Sequence, residues 1–317
     1  MRLTVGQAIE EFLDACRADG LKLPTVRWYE GKLRPLTAMF GRKAIDRVET
    51  ADMRDYVRSL HDRTTRYVGV AKKHVVQGGL SIESIRGHIR CLRRFWGWCE
   101  AEYRLDPGSN PMLRIKMPPA PRAIPKDVSP ESVRVLLESC DDSVTGRRDC
   151  AVIAFLADTG CRAGGLLRLT PDVLDVDARR AQVHEKGEKG RLVPFSEYTA
   201  ERLREWLAVR PDEAPTVFCS LGTNTHAQPM TLSALHKILK RRAAEAHVTG
   251  RINPHSFRHS FARRWMLAGG DVSTLSLIMG HSTSKITTDV YGAFMHEEAL
   301  TRYEELALMD KLLKGRR

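Results

Sequence analysis

Apolar positions three and four apart recur along most of the chain, and they predict a largely helical protein. Val5, Ala8, Ile9, Phe12 and Leu13 share one face of a helix over residues 3–19, with Thr4 placed to cap it. A second helix is expected from Leu23 to Phe40, with Trp28, Leu33, Leu36 and Phe40 as its core face and Gly41 as its stop. A third opens at Val48–Asp52 and runs through Leu60, with Thr50 as its N-cap. Residues 64–80 are polar and contain glycine, so they read as a loop or a frayed helix end. Ser81 to Tyr103 carries the clearest stripe of this half: Ile85, Ile89, Leu92, Trp96, Cys99 and Tyr103.

Beyond Asp106–Pro111 the pattern breaks. Residues 114–128 are basic and rich in proline, which predicts a stiff linker between a domain at 1–113 and one at 129–317. Ser129–Pro130–Glu131 is a helix start, and the apolar run between Arg148 and Asp158 is a second, buried-looking helix closed by Thr159–Gly160. The clearest strand signal follows: Val173–Val176, Arg180–His184 and Arg191–Phe195, the last two flanking a hairpin turn at Glu185–Gly190. Helices are expected again at 197–209 and 231–247. Asn253–Pro254 starts another, which Gly269–Gly270 ends, and Val272, Leu275, Ile278 and Met279 trace one more before Gly280. The tail, 297–317, is amphipathic. The fold expected is mainly α in two domains: an all-α helical bundle, then an α+β domain with a small antiparallel three-stranded sheet.

Composition narrows the setting. No run of about 18 apolar residues is present, so no membrane span is predicted, and the first 20 residues lack the apolar core of a secretion signal. The seven cysteines are scattered with no CxxC pair, which fits reduced thiols in a cytoplasm and gives no metal site. Charge is lopsided within a net +12: residues 1–126 hold 24 Lys+Arg against 14 Asp+Glu, and residues 127–317 hold 27 against 25. That asymmetry points to a polyanionic partner for the first part. Arg86, Arg90, Arg93 and Arg94 lie mainly off the apolar stripe of their helix, and Lys72 and Lys73 precede it. They form either a solvated polar face or a surface lying on DNA phosphates and base edges.

The second half holds a set of groups suited to phosphoryl transfer. His255 and Arg258 are three apart and share a helix face, His281 follows a helix stop, and Tyr291 comes ten residues later. Arg162 follows a helix end and Lys186 sits at the hairpin tip. Each alone has an ordinary reading: Arg162 as a helix-end cation, Lys186 and Lys189 as turn lysines, His259 as a structural hydrogen-bonding residue, Tyr291 as a core or surface phenol.

Together the segments TGCRAGGLLRL, EKGEKGRLVPF, PHSFRHSFA and MGHSTSKITTDVY resemble the tyrosine recombinase (phage integrase, Xer-like) family in order and spacing over most of residues 129–295. The N-terminal part resembles that family's core-binding, SAM-like helical domain in size, charge and position only. The resemblance implies that Tyr291 attacks a DNA phosphate to give a 3'-phosphotyrosyl link and a free 5'-hydroxyl. A phenol ionises near pH 10 and needs help from neighbouring cations or a base. Arg162 and Arg258 would clamp the non-bridging oxygens, since guanidinium is planar and permanently charged. Lys186 would protonate the leaving oxygen, His255 would act as acid or base, and His281 would donate a hydrogen bond. No metal, cofactor or ATP is implied. The partners implied are double-stranded DNA and, on it, three further copies in a homotetramer, with a monomer in free solution. The tail after Tyr291 would pack on a neighbouring copy or on its own. The chain begins at the core-binding helices, so no separate arm-binding domain is expected.

One departure stands out. The family usually carries an acidic residue three positions after the first arginine, and here that position is Gly165. This supports a second reading, a catalytically impaired DNA-binding or accessory protein of the same fold. A third, a type IB topoisomerase-like activity, shares the chemistry without joining two sites.

Overall fold

The computed structural model describes residues 3–66, 75–103, 108–119, 127–184, 190–280 and 303. They fall into two compact units, Met1–Arg122 and Ala123–Arg317.

In the first unit, α1 (Val5–Ala18), α2 (Leu23–Phe40), α3 (Thr50–His61) and α4 (Ile82–Glu102) enclose one apolar core. Thr4 and Gln7 close a reciprocal capping box on α1. Phe12 sits edge-on to Tyr29, Phe95 and Trp98 with centroids 5.4–5.7 Å apart. The expected face of α2 is corrected at Trp28, which is 40% exposed, while Val26, Leu33 and Leu36 are buried. Val26 is two turns before Leu33 and shares its face, whereas Trp28 is rotated off it. The N-cap of α3 is Glu49 rather than Thr50, and Asp52 accepts the Glu49 N–H at 2.7 Å. The expected loop at 64–80 contains a short antiparallel ladder, β1 (Thr65–Arg66) with β2 (Val76–Gln77). Lys72 and Lys73 lie outside the described residues.

The stretch expected as linker from residue 114 is packed at its start. Ile115 is buried in the first unit's core and Met117 packs against it. Arg93 donates to the Ile115 carbonyl at 2.7 Å and Arg86 to that of Pro118. Proline-rich backbone leaves carbonyls without ladder partners, and guanidinium groups satisfy them here. Two arginines of the expected DNA-facing row therefore hold this segment. Arg90 pairs with Glu83 at 2.7 Å on the surface, and Arg94 is exposed.

In the second unit, α5 (Pro130–Glu138) leads to α6 (Val144–Thr159), whose residues 148–157 are all buried, and then to the short α7 (Ala163–Leu167). The sheet is β3 (Leu174–Asp175), β4 (Arg180–His184) and β5 (Gly190–Pro194), antiparallel in that order. Alternation puts Ala181, Val183 and Val193 in the core. The remaining helices are α8 (Glu197–Leu207), α9 (Leu232–Glu245), α10 (Pro254–Leu267) and α11 (Val272–Met279). α6 is the spine, packed by α5, α8 and α10. Asp158 near its end accepts from the Ser196 N–H and hydroxyl at 2.6 and 2.7 Å and from Thr199 at 2.8 Å, so it caps α8. Asp149, fully buried, takes Arg148 at 2.8 Å, Arg242 at 2.9 Å and Arg241. Arg242 also donates to the Ser139 carbonyl at 3.1 Å, so one carboxylate fastens α5, α6 and α9 together.

Candidate active site

The site is built where four chain ends of the second unit meet. α6 stops at Gly160, whose φ of +56° is left-handed, and an added Cβ would lie 2.6 Å from the Phe261 ring. That close approach brings α10 against the end of α6, and the Gly160 carbonyl accepts from Arg258 Nη1 at 2.7 Å. Arg258 is only 5% exposed, and its Nη2 donates to the Met279 carbonyl at 2.6 Å. Arg162 holds the N-cap position of α7, and its two Nη atoms each lie 3.5 Å from the Gly280 carbonyl. The guanidinium groups of Arg162 and Arg258, 96 positions apart in the sequence, thus meet successive carbonyls at the end of α11.

His255 stands on the first turn of α10. Asn253 accepts the N–H groups of His255 and Ser256 at 3.0 and 3.1 Å, and Pro254 is the first helical residue. Loss of water pushes the His255 imidazole below its usual pKa, and Arg258, Arg162, Arg251 and His236 push it further in the same direction. The shift favours the neutral imidazole. Its response to both arginines places the imidazole in their field. His259 is half-buried and shifts the same way, first by burial and then through His255 and Arg258.

α11 is capped by Asp271, which accepts the Thr274 N–H at 2.8 Å, and ends at Gly280 with φ +64°. The next residue is His281. His281 and Tyr291 lie outside the described residues, as does Lys186. The strands flanking Lys186 are described, and they pair up to His184 opposite Gly190. Arg168, at the end of α7, donates to the His184 carbonyl at 2.6 Å and so holds β4 at its last rung before residues 185–189. Gly165, buried in α7, occupies the position where an acid was expected from the family pattern.

Of the six residues singled out for chemistry, the structure brings together Arg162, His255 and Arg258. Two planar cations and an imidazole form an electropositive cluster suited to a phosphate diester. Sequence reasoning missed the residues around them. His236 and Arg251 enter through their charge on His255, and nothing in their local pattern marks them. Arg191 donates to the Ile278 carbonyl. A signal for Arg191 exists: strand alternation puts it on the same face as Val193 and Phe195, where a cation needs a reason to be.

Residues 126–297 match the model of the phage integrase family. The chain is 30% identical over 291 residues to tyrosine recombinase XerD of Listeria monocytogenes serotype 4b (strain F2365), covering 89% of this chain and 93% of the relative. It is 31% identical over 247 residues to tyrosine recombinase XerC 1 of Ralstonia nicotianae, covering 72% and 74%. Among solved structures, the XerH site-specific recombinase bound to palindromic difH substrate aligns with a TM-score of 0.71 at 18% identity, covering 93% of this chain and 84% of that one. The Tn1549 transposon integrase in complex with transposon right end DNA aligns with a TM-score of 0.70 at 21% identity, covering 96% and 100%. These two likenesses establish the shared fold.

Proposed function

The chain belongs to the phage integrase family of tyrosine-type site-specific recombinases, and from that premise we propose that it cuts and rejoins double-stranded DNA at a specific site through a 3'-phosphotyrosyl link to Tyr291. The observation that carries this reading is the convergence of Arg162 and Arg258 on the end of α11, with His255 three residues before Arg258 on α10.

The chemistry balances without a further reactant. The Tyr291 oxygen bonds to phosphorus, and His255 takes the phenolic proton. The bond from phosphorus to the 5'-oxygen breaks, and that oxygen takes a proton from Lys186. Arg162 and Arg258 hold the non-bridging oxygens, on which charge builds in the transition state, with His281 adding a hydrogen bond. Rejoining reverses these steps, because the phosphotyrosyl ester keeps the energy of the cut bond. By likeness to the Xer proteins, the chain acts on its site as a homotetramer, for integration and excision or for resolution. Arg90 and Arg94, exposed on α4, are the cations of that row best placed for DNA, while Arg86 and Arg93 are each committed to a carbonyl of residues 115–118.

The test begins with a random duplex library from which full-length protein selects its site. A nicked suicide duplex carrying that site should then trap a covalent protein–DNA adduct, and Tyr291→Phe should abolish it. An adduct that survives the substitution removes Tyr291 from the role. A second reading, site binding without cleavage, is favoured by Gly165 alone. Tight, selective binding with no adduct under any condition would select it.

A further inference from the structure

Three consecutive carbonyls close α11, and each meets an arginine. Arg191 on β5 donates to Ile278, Arg258 Nη2 to Met279 at 2.6 Å, and Arg162 approaches Gly280 at 3.5 Å. The last carbonyls of a helix lack helical partners and carry the negative end of its dipole, so cations settle there. Two of these arginines are the phosphate clamp proposed above. The third comes from β5, the strand that follows Lys186 in the chain.

We infer that Arg191 is a positioning residue for strand cleavage: it locks the Lys186 hairpin onto the end of α11 that leads into His281. The inference rests on the Tyr291 chemistry proposed above. Both strands of the hairpin are fastened at the same end. β4 is held through its His184 carbonyl by Arg168, and β5 through Arg191. The register pairs Val183 with Arg191 and His184 with Gly190, so these anchors sit at the last rungs before the tip. The Arg191 stem also fills the room beside Gly280. A Cβ there would lie 2.7 Å from Arg191 Nε and 2.8 Å from Cδ, at a φ of +64° that already disfavours a side chain. Burial pushes the Arg191 guanidinium below its usual pKa, a cost that a residue serving only as filler would not carry. A methionine would fill the same space at no such cost.

Arg191→Met keeps the stem and removes the donors; Arg191→Lys restores a cation that can reach a carbonyl. Each is compared with wild type on the selected suicide duplex in two forms, one with the natural 5'-bridging oxygen and one with sulfur in its place. A thiol ionises near pH 8.5, so a thiolate leaves without a proton donor. Arg191→Met should form adduct about 100-fold more slowly on the oxygen duplex, within the range for a misplaced general acid, and near the wild-type rate on the sulfur duplex. Arg191→Lys should recover part of the oxygen rate. Equal slowing on both duplexes, or no slowing on either, overturns the inference. Hydrogen–deuterium exchange on the free full-length proteins needs no cleavage. In Arg191→Met, peptides covering 180–195 and 272–280 should exchange faster while 5–18 stays unchanged. Unchanged exchange in both segments overturns the tether. Should wild type form no adduct at all, the Tyr291 reading fails, and the tether is judged on exchange alone.

Discussion

In residues 3–119 the buried polar side chains described are His88, Asn110 and the phenol of Tyr56, with no Lys, Arg, Asp or Glu among them, whereas residues 127–280 bury Arg148, Asp149, Arg242 and Arg258. The first unit buries none of its described lysines or arginines outright, though Arg86 and Arg93 are tied to carbonyls of residues 115–118. The second withdraws several of its own and fixes them on carbonyls and a carboxylate. Water would otherwise let long guanidinium side chains swing, and burial against fixed acceptors removes that freedom. The contrast separates two uses of arginine. At a surface it attracts; within a frame it aims.

The largest test of that contrast is Asp149→Ala. It strands Arg148 in the core and leaves Arg242 only the half-exposed Glu245 as counter-charge, and losing one partner of a buried ionic group typically costs about 3–5 kcal/mol. Differential scanning calorimetry should show the transition of residues 123–317 falling by roughly 10 °C, with that of residues 3–119 unmoved. A loss below about 1 kcal/mol would mean that the charged core is no frame. Next is Arg258→Gln, which can still donate to one carbonyl. Loss of a preorganised donor on developing charge slows reactions about 10²–10³-fold, so adduct formation should fall by that factor. Lowered stability with an unchanged adduct rate would reduce Arg258 to framework alone.

Much of this was legible beforehand because local rules were enough. Helical spacing located α1, α4, α10 and α11, and alternation with a turn located the β4–β5 hairpin. The family motifs named Arg162, His255 and Arg258 before the coordinates placed them together. What escaped was decided by tertiary partners. Trp28 reads as core from its size, but its register on α2 turns it outward. Ile115 and Met117 sit among prolines that suggest an open linker, and only the arginines of α4 satisfying that backbone explain their burial. The ladder at 65–77 pairs residues with too little apolar alternation to signal a strand. Strand alternation marks Arg191 as inward-facing, but its partner is not legible, since the carbonyl it meets is 87 positions away.

The smallest effect tests the neutral side of the comparison. His88 is 5% exposed, and its Nδ1 lies 3.1 Å from the Lys32 carbonyl and 3.2 Å from the Tyr56 hydroxyl. A carbonyl only accepts, so Nδ1 carries the hydrogen that meets Lys32. Burial first, then the Lys32 and Arg63 charges, depress its pKa to about 4. The unfolded chain binds this proton near pH 6.5 and the folded chain only near pH 4, so stability is full above pH 6.5 and drains away as pH falls. Between pH 7 and 4.5 wild type should lose about 2–3 kcal/mol more than His88→Gln, which can still donate to Lys32 but cannot titrate and shares the same carboxylates. Denaturant unfolding of the first unit at the two pH values measures the difference. Equal losses would show that the first unit, like the second, tolerates a charge in its core.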